Sequence, residues 1–216
     1  MATTPWEGHF PGNKYWEPRM NKEEAIQQLK DRVLICHRCA LREGCSQVVF
    51  GEGSLKGGLM VIGEGPGQDE DRLGRPFVGR AGQLLDKILE SGGFSRLEQV
   101  YIGNIVKCRP PGNRIPLPEE RAACMPYLME QIAIVDPKII VLLGATALQG
   151  LVDPQAKIGT YRGRWLQWEG RWVMPTYHPA ALLRNPSLKR VVWEDMKQVV
   201  GKYRELVDPS HRSEYC

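Results

Sequence analysis

No run of eighteen apolar residues occurs anywhere in the 216-residue chain, so no membrane-spanning helix is expected. The opening stretch, MATTPWEGHFPGNKYWEPRM, lacks the basic-then-apolar order of a secretion signal. No internal repeat or low-complexity tract appears. With no export signal, the six cysteines, at 36, 39, 45, 108, 124 and 216, are expected to be thiols or metal ligands instead of disulfides. A cytoplasmic protein is the corresponding expectation. Charge of one sign is not dominant either. With 29 basic and 25 acidic residues the net charge is +4, compatible with a polyanionic partner but also common among enzymes of neutral substrates.

What is present is ordinary for one globular domain: 42% hydrophobic and 25% charged residues, enough to bury a core. Residues 1–20 are rich in Pro, Gly and aromatics and aperiodic, and are read as an N-terminal arm. Residues 21–210 form the single domain, and 211–216 a C-terminal tail. Asn21 followed by Glu24 caps a helix, KEEAIQQLKDRVL, with Ala25, Leu29 and Val33 on one face. Four short apolar runs follow: LMVIG (59–63), VYIGN (100–104), KIIVLLG (138–144) and RWVMPTYH (171–178). They suit strands buried on both faces of a parallel sheet. Between them lie AGQLLDKILESG, PEERAACMPYLMEQIAIV and ATALQGLV, with a last helix from about Ser187 to Leu206. The alternation predicts an α/β three-layer sandwich with a central, mostly parallel, four-stranded sheet flanked by helices. Ligands of such folds bind beyond the carboxyl ends of the strands, which here lead into 63–71, 104–114, 144–147 and 178–186.

The first of these segments opens GEGPGQDEDRLGRPFVGRAG, with six glycines but also Glu64, Asp69, Glu70 and Asp71. Gly-rich turns usually cradle phosphate, and carboxylates repel it. The loop therefore brings acids to a ligand that approaches the backbone closely. A dinucleotide fingerprint fits poorly, because the third glycine of GEGPGQ comes one residue early. Among the cysteines, Cys36-x2-Cys39 is a metal-ligand pair after a helix, and Cys108 and Cys124 have fifteen residues between them. Only one tight knuckle is present, against a zinc ribbon's two. Pro126 is expected to kink its helix and free backbone groups near Cys124. On spacing alone an iron–sulfur cluster, zinc and unrelated buried thiols all stay open. Cys45 is read as a buried spectator and Cys216 as incidental.

Four signals stand in order: C-x2-C with two later cysteines, GEGPGQDED, YIGNIVKCRPPGNR and HPAALLRNP. Together they resemble the iron–sulfur, family 4 uracil-DNA glycosylases, from about Lys22 to Val207. The resemblance implies hydrolysis of the N-glycosidic bond of deoxyuridine in single- or double-stranded DNA, leaving free uracil and an abasic site. It also implies a [4Fe–4S] cluster held by Cys36, Cys39, Cys108 and Cys124, outside the chemistry. A monomer is expected.

That chemistry assigns roles. A base in a duplex must be flipped into a pocket, where the Asn104 carboxamide can answer uracil O4 and N3–H. Phe77 offers a stacking face, and an N–H of His178 can stabilise charge on the departing base. Glu64 and Glu70 are candidates to activate water or support an oxocarbenium-like sugar, with Glu70 alternatively excluding the thymine methyl. Gly65 and Gly67 let backbone approach the ligand. Family 1 enzymes carry Asp and Tyr at those two positions, so their water-activating role does not transfer. Asp69 and Asp71 are expected to be solvated or capping, and Asn113 to orient Glu64. Leu182 or Leu183 is expected to wedge into DNA, with Arg184 on phosphate; equally, the leucines could open a core-facing helix. Two alternatives remain: a non-catalytic cluster-bearing DNA-binding module, and the subgroup trapped covalently through a loop histidine. RPPGNRIPLPEE contains no histidine, so turnover is expected.

Overall fold

The computed structural model describes residues 20–215; the arm before Met20 and Cys216 lie outside them. The helices are α1 (Lys22–Leu34), α2 (Leu41–Gly44), α3 (Gln68–Leu73), α4 (Arg80–Ser91), α5 (Pro118–Val135), α6 (Ala145–Leu151), α7 (Ile158–Tyr161), α8 (Pro179–Arg184) and α9 (Leu188–Leu206). The strands are β1 (Glu52–Gly53), β2 (Leu59–Gly63), β3 (Val100–Asn104), β4 (Ile139–Leu143), β5 (Leu166–Trp168) and β6 (Arg171–Thr176). None of the described helices is long and apolar enough to cross a membrane.

The sheet runs β1-β3-β2-β4-β6-β5. Its four inner strands are the four expected ones, all parallel, with Gly63 opposite Asn104 at the β2–β3 carboxyl end. The expected count of four is corrected to six, because β1 and β5 add antiparallel edges. Two and three residues are too few to show an alternating pattern, which is why neither edge was expected. The fourth strand also ends earlier than expected, at Thr176, and His178 becomes the N-cap of α8.

Period-2 alternation sorts each inner strand between two cores. Met60 and Ile62 of β2 face Leu128 and Ile132 of α5 and Leu148 of α6. Leu59 and Val61 face Leu85 and Leu89 of α4 and Val199 and Val200 of α9. Helices therefore cover both faces. α1 starts as expected, with Asn21 Oδ1 accepting from Glu24 N at 2.8 Å, and buries Leu29 and Val33 against Tyr127 and Ile134 of α5.

α5 stays helical through Pro126, where the kink is expected. At its start the Glu120 carboxylate accepts from Leu117 N at 2.7 Å and is gripped by both terminal nitrogens of Arg114, at 2.6 and 2.8 Å. The Arg114 hydrogen bond holds Glu120 below the usual carboxylate range. That pairing ties the 104–117 loop to α5. His211 is buried, its Nε2 2.8 Å from Gly92 O and its ring 4.5 Å from that of Phe94.

Candidate active site

Asn104 and Phe77 come together against Gly63 where β2 and β3 end. A Cβ on Gly63 would lie 2.5 Å from Asn104 Oδ1 and 2.5 Å from Phe77 Cζ. The amide and the aromatic ring thus converge above one glycine that no other residue can replace without moving them. Asn104 is only 2% exposed, and its Oδ1 is buried with no hydrogen-bond partner. A buried, unanswered carbonyl oxygen costs about 1–3 kcal/mol, a cost that a hydrogen-bond donor placed there would remove. From behind, the fully buried Lys107 Nζ donates to the Asn104 main-chain oxygen at 2.8 Å. Burial pushes that ammonium down to about 8.

Phe77 sits in the left-handed region, at φ 52°, which costs a non-glycine residue roughly 1–2 kcal/mol. Its ring centroid is 5.6 Å from that of His178, with the planes 31° apart. His178 leaves β6 and turns back on itself: Nδ1 accepts from Ala180 N at 3.1 Å. Burial, with Arg184 acting in the same direction and Glu70 opposing, pushes the imidazole down to about 4. It is therefore neutral at pH 7. Because Nδ1 uses its lone pair on a backbone amide, the ring proton resides on Nε2.

Glu64 and Glu70 occupy different situations. Glu64 Oε2 accepts from the hydroxyl of Thr146 at the start of α6, while Val106 N donates to the Glu64 main-chain oxygen at 3.1 Å. Its second carboxylate oxygen remains for a ligand or water. Gly65 lies so close to β3's continuation that a Cβ would meet Val106 Cγ2 at 2.7 Å. Glu70 is committed to backbone: Oε1 accepts from Val78 N and Gly79 N, both at 2.8 Å, and Oε2 from Gly67 N at 3.2 Å. It staples the glycine loop to the turn that carries Phe77.

Cys36, Cys39, Cys108 and Cys124 line one cavity walled by apolar side chains, Val33, Leu41 and Val48 among them. Backbone amides point at the sulfurs: Arg38 N at Cys36 (3.5 Å), Leu41 N and Arg42 N at Cys39, and Lys107 N at Cys124. Burial raises Cys39, Cys108 and Cys124, and neighbouring thiols add to it. Among the described residues no three His, Cys, Asp or Glu side chains are grouped as ligands of a single ion. Cys45 stands beside Cys108 and shares hydrogen bonds of 3.6 Å with Arg42.

Residues 50–197 match the family described as the uracil DNA glycosylase superfamily. A type-4 uracil-DNA glycosylase of Thermotoga maritima is 49% identical over 82% of this chain and 94% of its own length. The chain belongs to the type-4 uracil-DNA glycosylases. Two further relatives of that type are 42% identical (Sulfurisphaera tokodaii, 82% of this chain, 84% of the relative) and 43% identical (Pyrobaculum aerophilum, 86% and 98%).

On this type-4 scaffold two expected placements are corrected, those of Asp71 and Asn113, while the choice between Leu182 and Leu183 closes and Asp69 lies on the surface as expected. Asp71 is neither solvated nor capping: it is 4% exposed and accepts from Ser46 N (2.9 Å) and Gln47 N (3.3 Å), tying α3 to the segment after α2. Asn113 does not orient Glu64; its Oδ1 accepts from Arg109 Nε at 2.7 Å, and the hydroxyl on Glu64 comes from Thr146. The wedge ambiguity resolves by burial, since Leu182 is 1% exposed and Leu183 39%. Leu182 belongs to the core. Asp69 is the surface acid, 3.6 Å from Arg72. Thr146 went unnoticed in the sequence; its only signal is that GATA follows the third parallel strand.

Proposed function

We propose that the chain excises uracil from DNA, hydrolysing the N-glycosidic bond of a flipped deoxyuridine and leaving an abasic site. The observation that carries this reading is the unanswered Asn104 Oδ1 beside the Phe77 ring above Gly63. Uracil supplies the missing donor, N3–H, and an acceptor, O4, for the same carboxamide. Cytosine presents the reversed pair and leaves two buried groups mismatched, at about 1–3 kcal/mol each. Phe77 stacks on the base and contributes ~1–3 kcal/mol. Backbone at Gly65 approaches it edge-on.

As the C1′–N1 bond breaks, its electron pair moves into the uracil ring and charge grows on O2. The proton on His178 Nε2 is a neutral donor for that oxygen, strongest once the charge has formed. The sugar becomes cationic. Glu64, fixed by Thr146, stabilises that cation and takes a proton from the water whose oxygen bonds to C1′. The uracil anion leaves and is protonated by solvent. Glu70, with its oxygens already on three backbone amides, shapes the pocket wall and does not touch water. Leu183 fills the gap in the stack, and Arg184 meets phosphate.

The cysteine cavity fits a [4Fe–4S] cluster: four sulfurs, an apolar wall, and N–H groups aimed at sulfur as a charged thiolate core requires. Cys36, Cys39, Cys108 and Cys124 would hold it. When bound, the cluster supplies four bonds joining the end of α1 to β3 and α5, hence folding energy.

The test uses oligonucleotides identical except for one U, T, C or hypoxanthine, followed by alkali. Strand scission at U, lost in Asn104→Ala with the visible absorbance of the cluster retained, is the expected result. Protein that binds the U strand but never releases uracil would leave only the binding-module alternative.

A further inference from the structure

Phe77 holds a backbone conformation that phenylalanine disfavours, so something outside the ring must impose it. The turn 76–79 is gripped from two sides. Its amides, Val78 N and Gly79 N, bind Glu70. Its carbonyls bind one guanidinium: Arg96 Nη1 donates to Pro76 O at 2.9 Å and Nη2 to Phe77 O at 2.5 Å. Arg96 lies between α4 and β3, and its side chain is 16% exposed. Its own orientation is fixed by Asp86 of α4 at Nε (2.5 Å) and by Glu52 of the edge strand β1 at 3.5 Å. Glu52 in turn accepts from Arg75 Nε and Nη2, at 2.8 and 2.9 Å. The turn has no freedom on the helix side: a Cβ on Gly82 would lie 1.9 Å from Phe77 O.

We propose that Arg96 is a positioning residue for uracil recognition: it sets the angle of the Phe77 ring through the carbonyls of residues 76 and 77, without touching the base. The inference rests on the reading of Phe77 as the stacking face. A planar fork with five donors can satisfy two successive carbonyls and a carboxylate at once. A lysine ammonium cannot reach all three in that geometry. The short edge strand β1 thereby gains a functional consequence, since Glu52 steadies the fork.

The experiment is a double-mutant cycle between Arg96→Lys and Phe77→Ala, reading kcat, KM and the inhibition constant of free uracil, with melting temperature as the folding control. Arg96→Lys is expected to weaken free-uracil binding about tenfold, equivalent to ~1.4 kcal/mol, at a nearly unchanged melting temperature. In the Phe77→Ala background the same change is expected to alter it less than about twofold, because coupled residues are non-additive. Asp86→Asn, which keeps the guanidinium but loosens its anchor, gives a smaller loss of the same sign and serves if Arg96→Lys folds poorly. Equal losses with and without the Phe77 ring would overturn the inference. So would wild-type uracil affinity in both Arg96→Lys and Asp86→Asn while Phe77→Ala is impaired. If Phe77→Ala itself binds uracil like the parent, the stacking reading falls first, and the inference with it.

Discussion

Acid should destabilise this protein through one imidazole, and by an amount that can be worked out. His178 is pushed down to about 4 from an ordinary 6.5, mainly by burial. The folded value lies below the unfolded one, so above pH 6.5 neither state binds this proton and nothing is lost. As pH falls below 6.5 the unfolded chain takes up a proton that the folded chain refuses, and stability declines until about pH 4. At pH 4.5 the difference is ~2–3 kcal/mol, a substantial fraction of the ~5–15 kcal/mol that holds a typical domain together. Other groups titrate in the same range, so the quantity to measure is a difference. Urea midpoints of the parent and of His178→Gln, taken from pH 7.5 to 4.5, should converge by that amount as the solution is acidified. Proton NMR offers an independent check: with only four histidines in the chain, the His178 ring signals should stay at their neutral positions down to about pH 5. Two stability curves that run parallel, or a His178 signal titrating near 6.5, would refute the neutral ring and with it the assignment of Nε2 as the donor.

Two other outcomes follow from burial and charge. Leu182→Ala should cost about 2–5 kcal/mol of stability, whereas Leu183→Ala should melt like the parent and slow uracil release more on duplex than on single-stranded DNA. Arg162→Met should cost about 3–5 kcal/mol, because it strands Asp195, which is 0% exposed and paired with that guanidinium and with Thr176 Oγ1 at 2.6 Å; guanidinium chloride unfolding checks it, and a loss under 1 kcal/mol would contradict the ion-pair account.

The four inner strands were legible because each carries a short, largely apolar run, as burial on both faces demands, and their carboxyl ends pointed to the site. Asn104, Phe77 and His178 are proposed as site residues because each sits in a motif that resembles the uracil-DNA glycosylase pattern; composition alone would leave Phe77 in the core. Thr146 and Arg96 could not be picked out. Each contacts a residue distant in the chain, Glu64 in one case and Phe77 in the other, and only the folded chain brings them within reach. Asp71 misled for a related reason. It looks like a solvated or capping charge, yet it is buried and accepts from two backbone N–H groups, for which carboxylates are strong acceptors. Leu182 and Leu183 are adjacent in a six-residue helix, too short for periodicity to say which one turns inward.

The space above residue 63 is too small for even one methyl group. A single base change in the gene that turned that glycine into alanine would crowd the ring and the amide out of register while leaving the thiol cavity, lined by other residues, untouched. Loss of catalysis in this lineage could thus come without loss of the fold, and a protein that has lost it would resemble the working enzyme in almost every other respect.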